Sequence, residues 1–268
     1  MDATNSADLA SELIELHQRP RLVAPFSARH PGLTPDAGYA AARKLHAHRL
    51  AQGWKPAGRK IGFTNRTLWQ RYGVYEPMWG TVYDRTLFFS QENKAIVSLA
   101  GLVQPRIEPE ICVKLKKTPP VTRDPAALLE AIEWIAHGVE IVQCHHPDWK
   151  VTIADCTADN GLHGRLVVGT PVPVEKIAGL AAALPFLKVT LKKNLETRDE
   201  GLGSNVLGSP LLALGCLIEI LQKQQDSLQP GEIITTGTLT DAHPVTPGET
   251  WSTDFHGFAV RGMEITFE

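Results

Sequence analysis

Residues 105–115 read PRIEPEICVKL, and this run sets the terms for the rest of the chain. Apolar Ile107, Ile111, Val113 and Leu115 predict a strand over 107–115. Glu108 and Glu110 are two apart, so in a strand both carboxylates project from one face. Carboxylates crowded beside apolar residues repel one another and lose hydration, and a divalent cation is the simplest compensation. Pro109 between them has no N–H for a ladder, which predicts an edge strand or a bulge there. An exposed strand face, or salt bridges to Arg106 and Lys114, is the plain alternative for the same residues.

A third carboxylate follows in HGVEIVQC, where Glu140 sits between Val139 and Ile141. A charge in an apolar run is costly unless paired. Three carboxylates suit a hard ion, Mg2+ or Mn2+, better than zinc. The next residues, His145, His146 and Asp148, do not extend the set. Adjacent histidines on a strand point opposite ways, and Pro147 implies a turn, so loop surface or a subunit contact is expected. Other polar groups gather near turns: Lys60 in GRKIGFTNRT, and Asp155, Asp159 and Asn160 in TIADCTADNG. Turn Asp and Asn are usually structural, but an Asp beside a Lys can set up proton transfer. GTLTDAHP, residues 237–244, could hold a substrate carboxylate.

Outside these motifs the chain divides in two. The first sixty residues read as helical, with Thr34 as N-cap, Pro35 in the first helical position and Gly53 as a left-handed stop near Gln52. From Arg59 the texture is short strands between Gly, Pro, Asn and Asp. Two helices interrupt it: one after Asp124–Pro125 carrying Leu128, Leu129, Ile132 and Ile135, and one after Pro210. The expected organisation is a helical cap over 1–58 and a metal-binding catalytic β body over 59–268, integrated as one domain. Regular βα alternation and phosphate-binding glycine motifs are missing from the sequence, which excludes a doubly wound sheet or a TIM barrel.

Composition narrows the function classes. Of 268 residues, 43% are hydrophobic and 21% charged, which excludes wholesale disorder. A formal net charge of −2 removes the usual reason to propose a basic face for nucleic acid. Cys112, Cys144, Cys156 and Cys216 fit neither C-x-x-C nor a disulfide framework and read as buried free thiols of a reducing compartment. The longest apolar run, 206–221, is broken by Ser209, Pro210 and Glu219, and the N-terminus lacks a signal-peptide pattern, so a cytoplasmic protein without a membrane span is expected.

Together RKIGFT (59–64), PRIEPEICVKL, GVEIV (138–142), ADN (158–160), VLGSPLLAL (206–214) and GTLT (237–240) resemble the fumarylacetoacetate hydrolase superfamily. The likeness is to its 2-keto-4-pentenoate hydratase and 4-oxalocrotonate decarboxylase branch, and it covers nearly the whole chain. It implies a mixed α/β, mostly β fold: a β-sandwich or roll body with a helical N-terminal cap. It implies Mg2+ or Mn2+ on Glu108, Glu110 and Glu140. It matches Lys60, Asp84 and Asp155 to catalytic positions, and Thr238 and Asn160 to substrate-binding ones. The implied substrate is a small 2-oxo or 2-enol acid, and the implied assembly a homo-oligomer. The implied reaction is addition of water to a 2-hydroxy-2,4-dienoate, giving a 4-hydroxy-2-oxo acid. Decarboxylation of a 2-oxo-3-enedioate, acylpyruvate-type C–C hydrolysis and a non-enzymatic binding or structural role are the rivals. The segment 65–80, NRTLWQRYGVYEPMWG, departs from the branch. Its Trp69, Tyr72, Tyr75 and Trp79 suit an apolar substrate tail, whereas Arg66 and Arg71 leave room for a second carboxylate.

Overall fold

The computed structural model describes residues 3–268; Met1 and Asp2, the start of the expected cap, lie outside the described residues. Three helices come first: α1 (Ala3–Gln18), α2 (Phe26–Arg29) and α3 (Pro35–Ala51). The ends of α3 are where the sequence puts them. Thr34 Oγ1 accepts the Ala37 N–H, and Gly53 takes φ +79°. Gly53 N–H then donates to Leu50 O and Trp54 N–H to Arg49 O, which closes the helix as a Schellman motif. Leu9, Leu13 and Leu16 of α1 pack with Phe26, Ala41 and Ala158, so the helices share a core with the body.

The body holds two sheets. The larger has nine strands, ordered β2 (Met78–Tyr83), β1 (Pro56–Gly62), β11 (Ile233–Thr235), β5 (Arg106–Leu115), β6 (Ile132–Val142), β7 (His163–Val168) and β3 (Leu87–Phe89). Two short strands sit off this path: β12 (His243–Pro244) pairs with β5, and β8 (Val172–Pro173) with β6. The smaller sheet runs β10 (Glu196–Leu202), β9 (Lys188–Lys193), β13 (Thr250–His256), β14 (Glu264–Phe267) and β4 (Lys94–Val97). Ile107, Val139, Ile141 and Val167 of the large sheet meet Leu191, Trp251, Ile265 and Phe267 of the small one in a shared core. The helix Pro210–Lys223 supplies Leu211, Leu214, Leu217 and Leu221 to another core, with Ile111, Val113 and Ile234. This is the mixed, mostly β architecture with N-terminal helices that the sequence predicts. All four cysteines are buried and free. No helix among the described residues is long and apolar enough to cross a membrane.

Three expectations are corrected. The helix begun by Asp124 and Pro125 stops at Leu129, and Ile132 and Ile135 lie in β6 instead. Pairing along ten residues of β5 overrides the local helical spacing. β5 is central rather than an edge. Pro109 is tolerated because its nitrogen faces the gap between β11 and β12, where Leu239 N–H donates to Pro109 O at 2.8 Å. His145 and His146 are fully buried rather than on a loop surface.

His145 belongs to a polar network joining helices to body. Its Nδ1 donates to Asp159 Oδ2 at 2.7 Å, and His17 Nε2 lies 2.9 Å from Asp159 Oδ1. Arg49 Nη2 is 3.0 Å from His17 Nδ1. Arginine only donates, so His17 carries its proton on Nε2, towards Asp159. Burial holds the His17 pKa down at about 4, against the pull of Asp159. A depressed histidine contributes stability that is fully present above its unfolded value near 6.5 and is lost as pH falls towards 4. At pH 7 the H17Q variant should be less stable than wild type. That gap should narrow by about 2 kcal/mol on acidification to pH 4.5, measured by urea unfolding at each pH. A gap that stays constant would remove His17 as a neutral buried partner.

Candidate metal centre and active site

The register of β5 and β6 builds the site. Glu108 pairs with Glu140 and Glu110 with Gly138, so all three carboxylates stand on one face of the large sheet. Each offers an oxygen such that the three lie within 4.8 Å of one another. Gly138 has to be a glycine: a Cβ there would sit 2.3 Å from Cys112 Sγ on the same face.

Each glutamate is held differently. Glu110 is fully buried; its Oε2 accepts the Thr235 hydroxyl and, at 2.7 Å, the Gly237 N–H. Its main chain is also pinned, the carbonyl accepting from His137 Nδ1 at 2.9 Å. Gly237 adopts φ +101° and would place a Cβ 1.7 Å from Thr64 Oγ1, so glycine alone fits there. Glu140 is also fully buried, with Oε1 2.8 Å from His163 Nδ1 and Oε2 3.0 Å from Lys60 Nζ. Glu108 is half-buried and lines a pocket. Lys60 comes from β1, in register with Thr235 of β11, which is itself in register with Cys112 of β5.

Three carboxylates face one ammonium, and the electrostatics follow. Burial raises the Glu108 carboxyl to about 7, reinforced by Glu140 and opposed by Lys60. Burial, then Glu140 and Glu108, hold Glu110 well above the ordinary range. Glu140 goes the other way: burial pushes it up, but Lys60 and His163 together hold it below the usual value. For Lys60 the burial penalty is outweighed by Glu140, Glu108 and Glu110, so the ammonium form is retained. Glu110 Oε1 is buried with no hydrogen-bond partner, and Glu140 Oε2 has only the lysine. Orphaned carboxylate oxygens converging at this spacing, with no sulfur or imidazole among them, fit a hard divalent cation.

The pocket above the cluster is walled mainly by Phe63, Leu68, Met78, Val142, Trp149 and Leu162, with Tyr72 and Asn65 at polar points. Among the described residues Lys60 is the one cationic side chain in its lining. Thr238 also lines it, its hydroxyl donating to Thr240 O at 3.1 Å. The other three expected site residues lie elsewhere. Asp84 is exposed in the turn after β2, where it accepts the Lys55 N–H at 3.0 Å. Asp155 closes the capping box of the helix Ile153–Ala158, and its oxygens accept from Thr152 and from both Ser27 N–H and Ser27 Oγ. The Asn160 side chain makes both of its hydrogen bonds to the Thr81 main chain, at 2.9 and 3.0 Å, and so holds β2 in place. Of the aromatics at 65–80, Tyr72 lines the pocket, whereas Tyr75 is exposed and Trp79 packs against Tyr39. Sequence reasoning passed over His163, Thr235 and the Gly237 N–H, since no periodicity marks them.

The C-terminal model of the fumarylacetoacetate hydrolase family matches residues 64–263. The chain belongs to the fumarylacetoacetate hydrolase family. It is 33% identical to a 2-hydroxyhexa-2,4-dienoate hydratase of Comamonas testosteroni, over 95% of both chains. It is 31% identical to a 4-oxalocrotonate decarboxylase of a Pseudomonas species, over 77% of both. A solved 4-oxalocrotonate decarboxylase of Pseudomonas putida G7, complexed with magnesium and adipate, has the same fold. It superposes with a TM-score of 0.89 at 24% identity, covering 100% of this chain and 99% of the other.

The crowding predicts how a single charge removal behaves. Glutamine at 110 can still accept from Thr235 and Gly237 but carries no charge. In metal-free protein at pH 7.5, Glu110→Gln should therefore raise Tm by roughly 2–6 °C. Differential scanning calorimetry with chelator present measures it, and a lowered Tm would mean that like-charge strain at the cluster is not a cost to the fold.

Proposed function

We propose that the protein is a Mg2+- or Mn2+-dependent hydratase that adds water to a short 2-hydroxy-2,4-dienoate and releases a 4-hydroxy-2-oxo acid. The observation that carries this is the pairing of the three-glutamate cluster with an apolar pocket whose only lining cation among the described residues, Lys60, is already held by Glu140. Glu108, Glu110 and Glu140 would hold the ion. Bound there, the ion supplies Lewis acidity at the substrate's C1 carboxylate and C2 oxygen.

The chain's own groups do the rest. Lys60 places a fixed positive charge beside the acid end and is the group able to pass a proton in the ketonisation that precedes hydration. Ketonisation puts a proton on C5 and leaves a C3–C4 double bond conjugated to the 2-carbonyl. Water then adds oxygen to C4 and a proton to C3. Thr238 borders the acid end, and the apolar walls exclude bulk water and receive the tail.

Hydration is favoured over decarboxylation by what surrounds the tail. A diacid needs a second cation to hold its far carboxylate. Arg106, just outside the lining, is already engaged by the pocket wall, donating to Tyr72 Oη at 2.7 Å and stacked 4.4 Å over Trp149. Arg71 is paired with Asp241, and Arg66 stacks on Trp69. The names of the hydratase relative and of the decarboxylase relative mark the two outcomes to separate.

The reading includes a cytoplasmic homo-oligomer. Phe88 and Phe89 on β3 and Ile96 on β4 are exposed on the outermost strands of the two sheets, which a second copy would cover. Light scattering at low protein concentration should give a mass at least twice 29.3 kDa; a stable monomer would contradict it. For the reaction, the protein with Mg2+ should convert 2-hydroxypenta-2,4-dienoate to a product heavier by 18 Da. It should leave a 2-oxo-3-enedioate unchanged. Loss of 44 Da from the diacid, without hydration of the dienoate, would assign a decarboxylase instead.

A further inference from the structure

His163 stands behind the cluster with no part in the steps above. It is buried and bonded at both ring nitrogens: Nδ1 is 2.8 Å from Glu140 Oε1, and Nε2 is 2.8 Å from Thr86 Oγ1. Thr86 is buried too; its Oγ1 accepts the Tyr83 N–H at 3.2 Å and also lies 3.2 Å from Tyr83 O. These contacts fix the tautomer. A bare Nδ1 lone pair facing a carboxylate at 2.8 Å would be repulsive, so the proton lies on Nδ1 and is donated to Glu140. Nε2 then accepts, and the single Thr86 hydroxyl proton goes to it at 2.8 Å in preference to Tyr83 O at 3.2 Å. The result is a directed chain from the Tyr83 main chain through Thr86 and His163 to Glu140.

A local irregularity makes this chain possible. Glu140 pairs with Leu166 and Ile141 with Arg165, but Val142 pairs with His163, so Gly164 is an extra residue in β7. Without that bulge, strand alternation would turn residue 163 away from the face that carries Glu140. Gly164 cannot carry a side chain, since a Cβ would lie 2.5 Å from Ile141 O. The bulge therefore re-aims one histidine onto one carboxylate.

We propose that His163 is a positioning residue for the metal centre: with Thr86 it immobilises Glu140 so that Oε1 is committed to the protein and Oε2 is presented towards Glu108 and Glu110. It rests on the reading of the three glutamates as a divalent-cation site. A second carboxylate, Glu110, is fixed by the same logic with Thr235 and the Gly237 N–H, leaving its Oε1 as the free oxygen. Partners of this kind typically change metal affinity 10- to 100-fold when removed.

The test is Mn2+ affinity of the full chain, read by electron paramagnetic resonance of free and bound Mn2+, in matched side-chain pairs. In His163→Asn the amide nitrogen sits where Nδ1 was and can still donate to Glu140. His163→Leu has similar size and no donor. The expected result is a loss of roughly 10- to 100-fold for His163→Leu and of less than about 5-fold for His163→Asn. Thr86→Val, which leaves the histidine in place but removes its anchor, should fall between them and serves if the leucine variant does not fold. Equal affinities for wild type, His163→Leu and Thr86→Val would overturn the proposal. So would equal losses in the asparagine and leucine variants, because packing rather than the hydrogen bond would then matter. Wild-type protein that binds no Mn2+ would instead sink the metal reading itself, a separable outcome.

Discussion

Three carboxylates converging on one face of a buried sheet, with one ammonium against them, form the constraint on which the rest of the structure depends. Charges of one sign at this spacing, shielded from water, oppose folding. The surroundings limit the cost without removing it. Glu110 is bonded to Thr235 and to a main-chain N–H available only where glycine fits, and Glu140 is shared between Lys60 and His163. What stays uncompensated is Oε1 of Glu110, buried without a hydrogen-bond partner. A fold that leaves a buried carboxylate oxygen unsatisfied, and surrounds it with two more, is arranged for a cation.

The sheet makes that arrangement rigid. β5 and β6 share the longest ladder among the described residues, and the glutamates sit inside it rather than on loops. β1 and β11 bring Lys60 and Thr235 to the same region through a parallel pairing. Tying the N-terminal helices to the body falls partly to Asp159, next to the Asn160–Leu162 turn that borders the pocket. The glutamates and Lys60 thus rest on strands, while the pocket walls come partly from strands, through Met78 and Val142, and partly from the connections, through Phe63, Leu68, Trp149 and Leu162.

How far the sequence disclosed this depends on the residue. Glu108 and Glu110 were legible because period-two spacing is a local property, and Glu140 because a charge in an apolar run demands an explanation. Thr34, Pro35 and Gly53 marked the ends of α3 for the same local reason. Ile132 and Ile135 misled, since their helical spacing was overridden by partners about twenty residues away on β5. Asp84 came from resemblance alone, Asp155 and Asn160 from turn composition and resemblance together, and neither signal reveals that main-chain N–H groups already bond to their oxygens. His163 was hidden by a bulge that appears only once β6 and β7 are paired.

The central claim is that Glu108, Glu110 and Glu140 together hold a divalent cation to which a 2-oxo acid binds. Crystals grown with Mn2+ and an unreactive saturated analogue, 2-oxopentanoate, would address it through anomalous scattering at the manganese edge. The account predicts one strong peak per chain within coordination distance of all three glutamates, with the analogue's carboxylate and keto oxygens against it and its tail towards Trp149 and Leu162. A map with no peak between those carboxylates, or with manganese held elsewhere while the glutamates remain bonded only to protein, would contradict it.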